Sequence, residues 1–132
     1  MIPNWVFTLP YVEGGRDRSG VDCWGLIIVL YQHYFNVTLP EYSNITLPSL
    51  DDCENTSHKL EEKLLEQSIF EEVEEPKFGD VVILKVLGYP IHIGFVLDSK
   101  RMIHTGRSHG VTIEKFTEKK WINKIVGFYR MK

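Results

Sequence analysis

The stretch GVDCWGLIIVLY, Gly20 to Tyr31, sets a cysteine and a tryptophan directly before a run of apolar residues. A thiol at such a junction can be core filler, half of a disulfide, a metal ligand or a nucleophile. If a helix starts at Cys23 with Asp22 or a neighbour as its N-cap, first-turn backbone N–H groups and the positive end of the macrodipole face the sulfur. Both favour thiolate, the nucleophilic form. The same N–H groups can hold an oxyanion on a carbonyl that the sulfur attacks. The competing reading is a small apolar residue packed under a sheet, and the local sequence alone favours it. Cys53, in a polar stretch, has no comparable context.

A nucleophilic cysteine needs a base, and the base needs an orienter. In YPIHIGFVL, Ile91, Ile93, Phe95 and Leu97 share one strand face, while His92, Gly94 and Val96 share the other. His104, in RMIHTG, lies on the next run. With Asp98-Ser99-Lys100 as a three-residue hairpin loop, Leu97 pairs with Arg101 and Gly94 falls opposite His104. The two histidines then share a face on the diagonal, with Gly94 leaving room for their rings to meet. A two- or four-residue loop without a bulge would put them on opposite faces. His33 reads as a partly exposed helix residue, His58 as solvated and His109, in RSHGV, as a turn residue.

The elements that must position these groups follow from the patterning. Leu26, Ile27, Leu30, Tyr31 and Tyr34 form a broad stripe that predicts a buried helix from Trp24 to about Phe35. Residues 36–58 read as a long loop, and HKLEEKLLEQSIFEEVEE as a second, amphipathic helix with Leu60, Leu64, Ile69 and Val73 inward. After Pro76 the period changes. GDVVILKV, YPIHIGFVL, RMIHTG, GVTIEKF and KIVGFYR are short β-rich runs that predict an antiparallel meander. Helix first and sheet afterwards gives an α+β class.

With 132 residues, 43% hydrophobic and 25% charged, the chain is expected to fold as one domain over 1–132. The net charge of −3 offers no electrostatic footprint for nucleic acid. No apolar run approaches the ~20 residues of a membrane span. The start, MIPNWVFTLPYVEGG, lacks a basic segment followed by a long apolar one, so synthesis in a cytoplasm without a signal peptide is expected. A Cys23–Cys53 disulfide is then not expected. For the same reason NVT at Asn36, NIT at Asn44 and NTS at Asn55 read as polar loop residues rather than glycosylation sites. No CxxC or HExxH spacing occurs, so neither a metal nor another cofactor is implied.

Taken in order, PYVEGGRDRSGVDCWGL, FGDVVILKV, IHIGFVL and MIHTG resemble the NlpC-type cysteine peptidases, papain-like enzymes that cut peptidoglycan peptides. The DCWGL variant, followed by LPEY and ending in IVGFYR, is most similar to the branch found in phage tail-assembly proteins. The resemblance covers roughly residues 8–42 and 76–130. It implies a papain-like NlpC-type fold, with N-terminal helices packed on an antiparallel sheet of about five strands. It implies Cys23 as nucleophile, His92 as general base and His104 as the residue orienting His92. Tyr11, Asp22 and Trp24 would form the oxyanion and substrate-binding set: the Tyr11 hydroxyl assisting the Cys23 N–H, and Asp22 capping the helix or meeting a substrate amine. Gly14 and Gly15 would allow a tight turn beside the site. Many cell-wall members carry serine where this chain has Trp24, and an aromatic residue where it has Glu13. The implied activity is hydrolysis of peptidoglycan stem peptides, at a γ-D-glutamyl to diamino-acid bond. The implied setting is a phage virion tail, made in the host cytoplasm, with other tail proteins as partners. A non-catalytic tail-assembly module with the same fold is the alternative.

Overall fold

A computed structural model describes residues 2–41 and 69–132. The apolar run beginning at Cys23 folds as α1, Cys23–Phe35, with every residue from Cys23 to Tyr31 buried. A helix that is apolar all round belongs inside a core rather than on its surface. Asp22 is the N-cap, its Oδ1 accepting the Gly25 N–H at 2.8 Å. Asn36 ends the helix in the left-handed region, φ 53°, a conformation its short polar side chain tolerates. Before α1 come a 3-10 turn, Asn4–Thr8, and a two-residue ladder of β1 (Arg16–Asp17) and β2 (Gly20–Val21).

Among the described residues the main sheet has six strands, all antiparallel: β3 (Phe70–Val73), β4 (Val81–Val86), β5 (Tyr89–Val96), β6 (Arg101–His104), β7 (Thr112–Lys115) and β8 (Ile125–Met131). Their spatial order is β3-β8-β4-β5-β6-β7. The five expected runs are all present, but the meander is broken at its end. β8 returns to the far edge of β4 instead of extending beyond β7. That return makes β4 an interior strand like β5, where their continuous apolar runs belong.

The sixth strand corrects the sequence reading, which placed residues 70–73 in the second helix. Ile69, Phe70 and Val73 fit a helical period, yet Phe and Val also suit a strand. The edge of β8 supplies the partner, pairing Phe70 with Met131 and Val73 with Phe128. The rest of that expected helix, 58–68, lies outside the described residues, as do Cys53 and His58. One α-helix, not several, is present among those described.

Both faces of the sheet are covered. Val81, Ile83, Ile93, Phe95 and Ile103 join α1 in one core cluster. Val82, Leu84, Val96 and Met102 form a second with Phe116 and Trp121. His92 and His104 alternate with residues of the first cluster, so they project on the side of the second. The β5–β6 register is that of a three-residue loop: Phe95 pairs with Ile103, Val96 with Met102, and Leu97 N–H reaches Arg101 O at 2.9 Å. Asp98 pins the loop, its Oδ1 accepting from the N–H groups of Lys100 and Arg101 at 2.9 and 2.8 Å. The space at Gly94 is taken by Met102, whose Sδ would lie 2.9 Å from an added Cβ, rather than by the histidine rings.

Candidate active site

The register brings His92 and His104 into direct contact, Nε2 of the first 2.8 Å from Nδ1 of the second, with both side chains buried. His104 Nε2 is 3.1 Å from Glu114 Oε1. Glu114 comes from β7, where Met102 pairs with Glu114 and His104 with Thr112, so it reaches His104 on the diagonal. Its other oxygen accepts from Trp121 Nε1 at 3.0 Å, and Lys120 Nζ stands 3.2 Å away. Trp121 in turn stacks on His92, centroids 5.8 Å apart and planes 16° from parallel.

These contacts set the tautomers. Burial alone would raise the Glu114 carboxyl, but bonds from Trp121, Lys120 and His104 hold it below its ordinary value, so it is an acceptor only. His104 therefore carries its proton on Nε2 and accepts at Nδ1 from His92 Nε2–H. His92 Nδ1 is left bare, the state a proton acceptor needs.

Cys23, at the first position of α1, lines a cleft of about 260 Å³ with Tyr11, His92, His104, Thr105 and His109. β6 pairs with β5 only as far as Phe95; beyond it the Ile93 N–H, with that of Trp24, turns to the Cys23 sulfur. The Thr105 hydroxyl is buried and, among the described residues, has no hydrogen-bond partner, while the buried Tyr11 hydroxyl has the Arg107 guanidinium beside it. A larger apolar cleft lined by Ile2, Phe7, Phe78 and Ile113 carries neither a thiol nor an imidazole.

The electrostatics depart from the expectation of a poised thiolate. Burial, with 4% of Cys23 exposed, pushes the thiol up to about 12, and the neighbouring Asp22 adds to the rise. The two backbone N–H groups and Arg16 oppose this without overcoming it. Burial, then His104 and His109, pull His92 down to about 3, and burial pulls His104 down to about 4 against the pull of Glu114. The helix-terminus contribution is real but small beside the desolvation of a fully enclosed sulfur. The resting pair is a neutral thiol and a neutral imidazole.

The other expected site residues separate. Asp22 is fully buried, and both its oxygens are used within the protein: Oδ1 takes Gly25 N–H and, at 2.6 Å, Arg16, while Oδ2 takes Gly14 N–H at 3.1 Å. It is a cap and loop anchor with no oxygen turned to the cleft. The Trp24 indole is buried in the core and donates to Pro40 O at 2.9 Å; only its backbone faces the sulfur. Glu13 is at the surface, 3.0 Å from Arg107. His109 lies in the Gly106–Gly110 turn, as its sequence suggests, yet its ring sits 5.3 Å from that of His104. Glu114, Trp121 and Thr105 were not singled out in the sequence. Glu114 had one available signal, its alternation with Phe116 along GVTIEKF.

A buried helix that starts at a cysteine and packs on an antiparallel sheet carrying two histidines makes this an α+β architecture. The NlpC/P60 family model matches residues 8–130, and the chain belongs to that family. Its fold is similar to that of a lipoprotein-like NLP/P60 protein from Staphylococcus aureus subsp. aureus Mu50 (TM-score 0.64, 20% identity, 96% of this chain and 37% of that one). It is also similar to the NlpC/p60 domain of the peptidoglycan hydrolase SagA (TM-score 0.60, 21% identity, 97% and 91%). A third is an NlpC/P60 protein from Bacillus cereus ATCC 10987 (TM-score 0.61, 20% identity, 91% and 34%). The chain thus spans little more than a third of the first and third of these proteins. No curated protein matches the sequence.

Proposed function

We propose that the protein is a cysteine peptidase that hydrolyses peptidoglycan stem peptides, with Cys23 as nucleophile, His92 as base and His104 as its orienter. The observation that carries this is the buried His92–His104 pair opening, with Cys23, onto one cleft. In this reading His92 Nδ1 accepts the Sγ proton as sulfur adds to the scissile carbonyl. The oxyanion meets the Cys23 N–H and the Tyr11 hydroxyl, which lines the same cleft. Collapse breaks the C–N bond, His92 passes its proton to the leaving amine, and a thioester remains. Water, deprotonated by His92, then releases the acid and restores the thiol.

Because Asp22 is fully buried and does not line the cleft, an internal bond suits the cleft better than one beside a free N-terminus. The γ-D-glutamyl to diamino-acid bond is the proposed target, and a phage tail the proposed setting. A second reading, a non-catalytic tail-assembly module, is favoured by one observation: a thiol that burial keeps protonated.

Digestion of purified muropeptides followed by mass spectrometry separates the two. The peptidase reading expects paired fragments with one new amine, and a loss of at least ~1000-fold for Cys23→Ala. Intact muropeptides with the wild-type chain, or fragments that persist in Cys23→Ala, would leave the assembly module standing.

A further inference from the structure

His104, His109 and Glu114 form a cluster that the proposed peptidase chemistry does not use as a unit. One ligand atom from each can be chosen so that all three lie within 4.8 Å of one another. Zinc bonds of 2.0–2.2 Å place tetrahedral ligand atoms about 3.3 Å apart, and the 3.1 Å between His104 Nε2 and Glu114 Oε1 is already near that value. His109 has to close a gap of at most about 1.5 Å, the difference between 4.8 Å and that spacing, to complete the triangle. It sits on an exposed turn, where such a shift is cheap.

Two features favour a metal over a simple polar cluster. His109 Nδ1–H donates to Gly110 O at 2.7 Å, which fixes its tautomer and leaves Nε2 free to ligate. Glu114 offers Oε1 while Trp121 holds Oε2, the outer partner that orients a ligating carboxylate. Two imidazoles and one carboxylate with an open position suit zinc or a comparable borderline divalent cation. The opposing charge is Lys120, whose exposed side chain can swing away from Glu114.

We infer that His104, His109 and Glu114 form a zinc-type divalent metal site that switches the His92–His104 pair off. The metal takes His104 Nε2, so the proton there leaves to water. His104 then carries its proton on Nδ1, received from His92 Nε2 along the 2.8 Å contact, and His92 Nδ1 takes one from water. Two protons remain on the pair, but His92 now presents N–H to the thiol instead of a lone pair. Binding is independent of the peptidase reading; inhibition rests on it.

The test is calorimetric titration of the full chain, carrying Cys23→Ser and Cys53→Ser so that no thiol competes, with zinc chloride alone. One zinc per chain is expected, weakened ~10-fold or more by His109→Ala and tightened by Lys120→Ala. Ring ¹⁵N shifts of the same protein should show His92 moving from the Nε2–H to the Nδ1–H form on zinc addition. Absence of stoichiometric binding, binding indifferent to His109, or an unmoved His92 tautomer overturns the inference. Muropeptide cleavage by the wild-type chain should stop with zinc, while His109→Ala keeps its own zinc-free rate. A chain that cleaves nothing without zinc defeats the peptidase reading, and the isotherm and tautomer still decide the metal site.

Discussion

A carboxylate two imidazoles away from the sulfur sets which nitrogen of His92 is bare. Glu114→Gln tests that chain of reasoning with a nearly isosteric change. The Gln oxygen is drawn to Trp121 Nε1–H, which turns its amide NH₂ toward His104. His104 must then accept at Nε2, and both tautomers reverse. A loss of ~10–100-fold in kcat with KM little changed is expected, and ring ¹⁵N shifts should show the reversal directly. Unchanged tautomers with full kcat would mean that Glu114 merely packs. The positions of Cys23, His92 and His104, though not their roles, were legible in local patterns: a helix start, a strand alternation and a loop of definite length. Glu114 was not, because the longer connection from Thr105 to Val111 leaves the β6–β7 register open. The thiol's resting charge was not legible either: the helix terminus is visible in sequence, while the burial that outweighs it depends on the whole fold.

At the level of elements, the site depends on how the segment before α1 lies against its first turn. Gly25 is the position where that contact is made: a Cβ there would stand 1.9 Å from Gly15 O, a backbone atom that cannot rotate away. Arg16 locks the same segment through Asp22, Gly15 O and Glu41 O. Gly25→Ala therefore opposes two effects. Ala improves helix propensity by about 1 kcal/mol, but displacing the 14–16 backbone costs more, about 3 kcal/mol in total. The expected outcome is a lower denaturant midpoint at constant m, together with lost activity as Gly14 leaves the Asp22 cap. A midpoint that rises would show that the segment can slide freely. DCWGL and LPEY prove to be one structural feature, since Trp24 of the first holds Pro40 of the second. Nothing in either stretch alone announces that bond. The strand at Phe70–Val73 was hidden for a similar reason: its partner, β8, lies at the other end of the chain.

For the molecule as a whole, packing both faces of the sheet encloses two imidazoles that must stay uncharged. His92 is held at about 3 and His104 at about 4, against 6.5 for free histidine. Well above pH 6.5 the side chains are neutral in both folded and unfolded chains and contribute no pH dependence. As pH falls below 6.5 the unfolded chain binds protons that the folded chain refuses, so stability drops until the folded values are reached. Each refused proton contributes about 1.4 kcal/mol per pH unit. Two of them remove about 3 kcal/mol between pH 6.5 and 5, a sizeable part of the 5–15 kcal/mol typical of a domain. Ordinary carboxylates remain charged across that interval, which isolates the histidines. Urea unfolding in EDTA at half-unit steps from pH 7.5 to 5 should give a slope that grows toward two protons. The His92→Gln, His104→Gln double variant should lose most of that slope. A flat profile in the wild-type chain would mean that the pair accepts a proton in the folded state. The neutral thiol–imidazole resting state, and the bare Nδ1 on which the proposed chemistry depends, would then fall together.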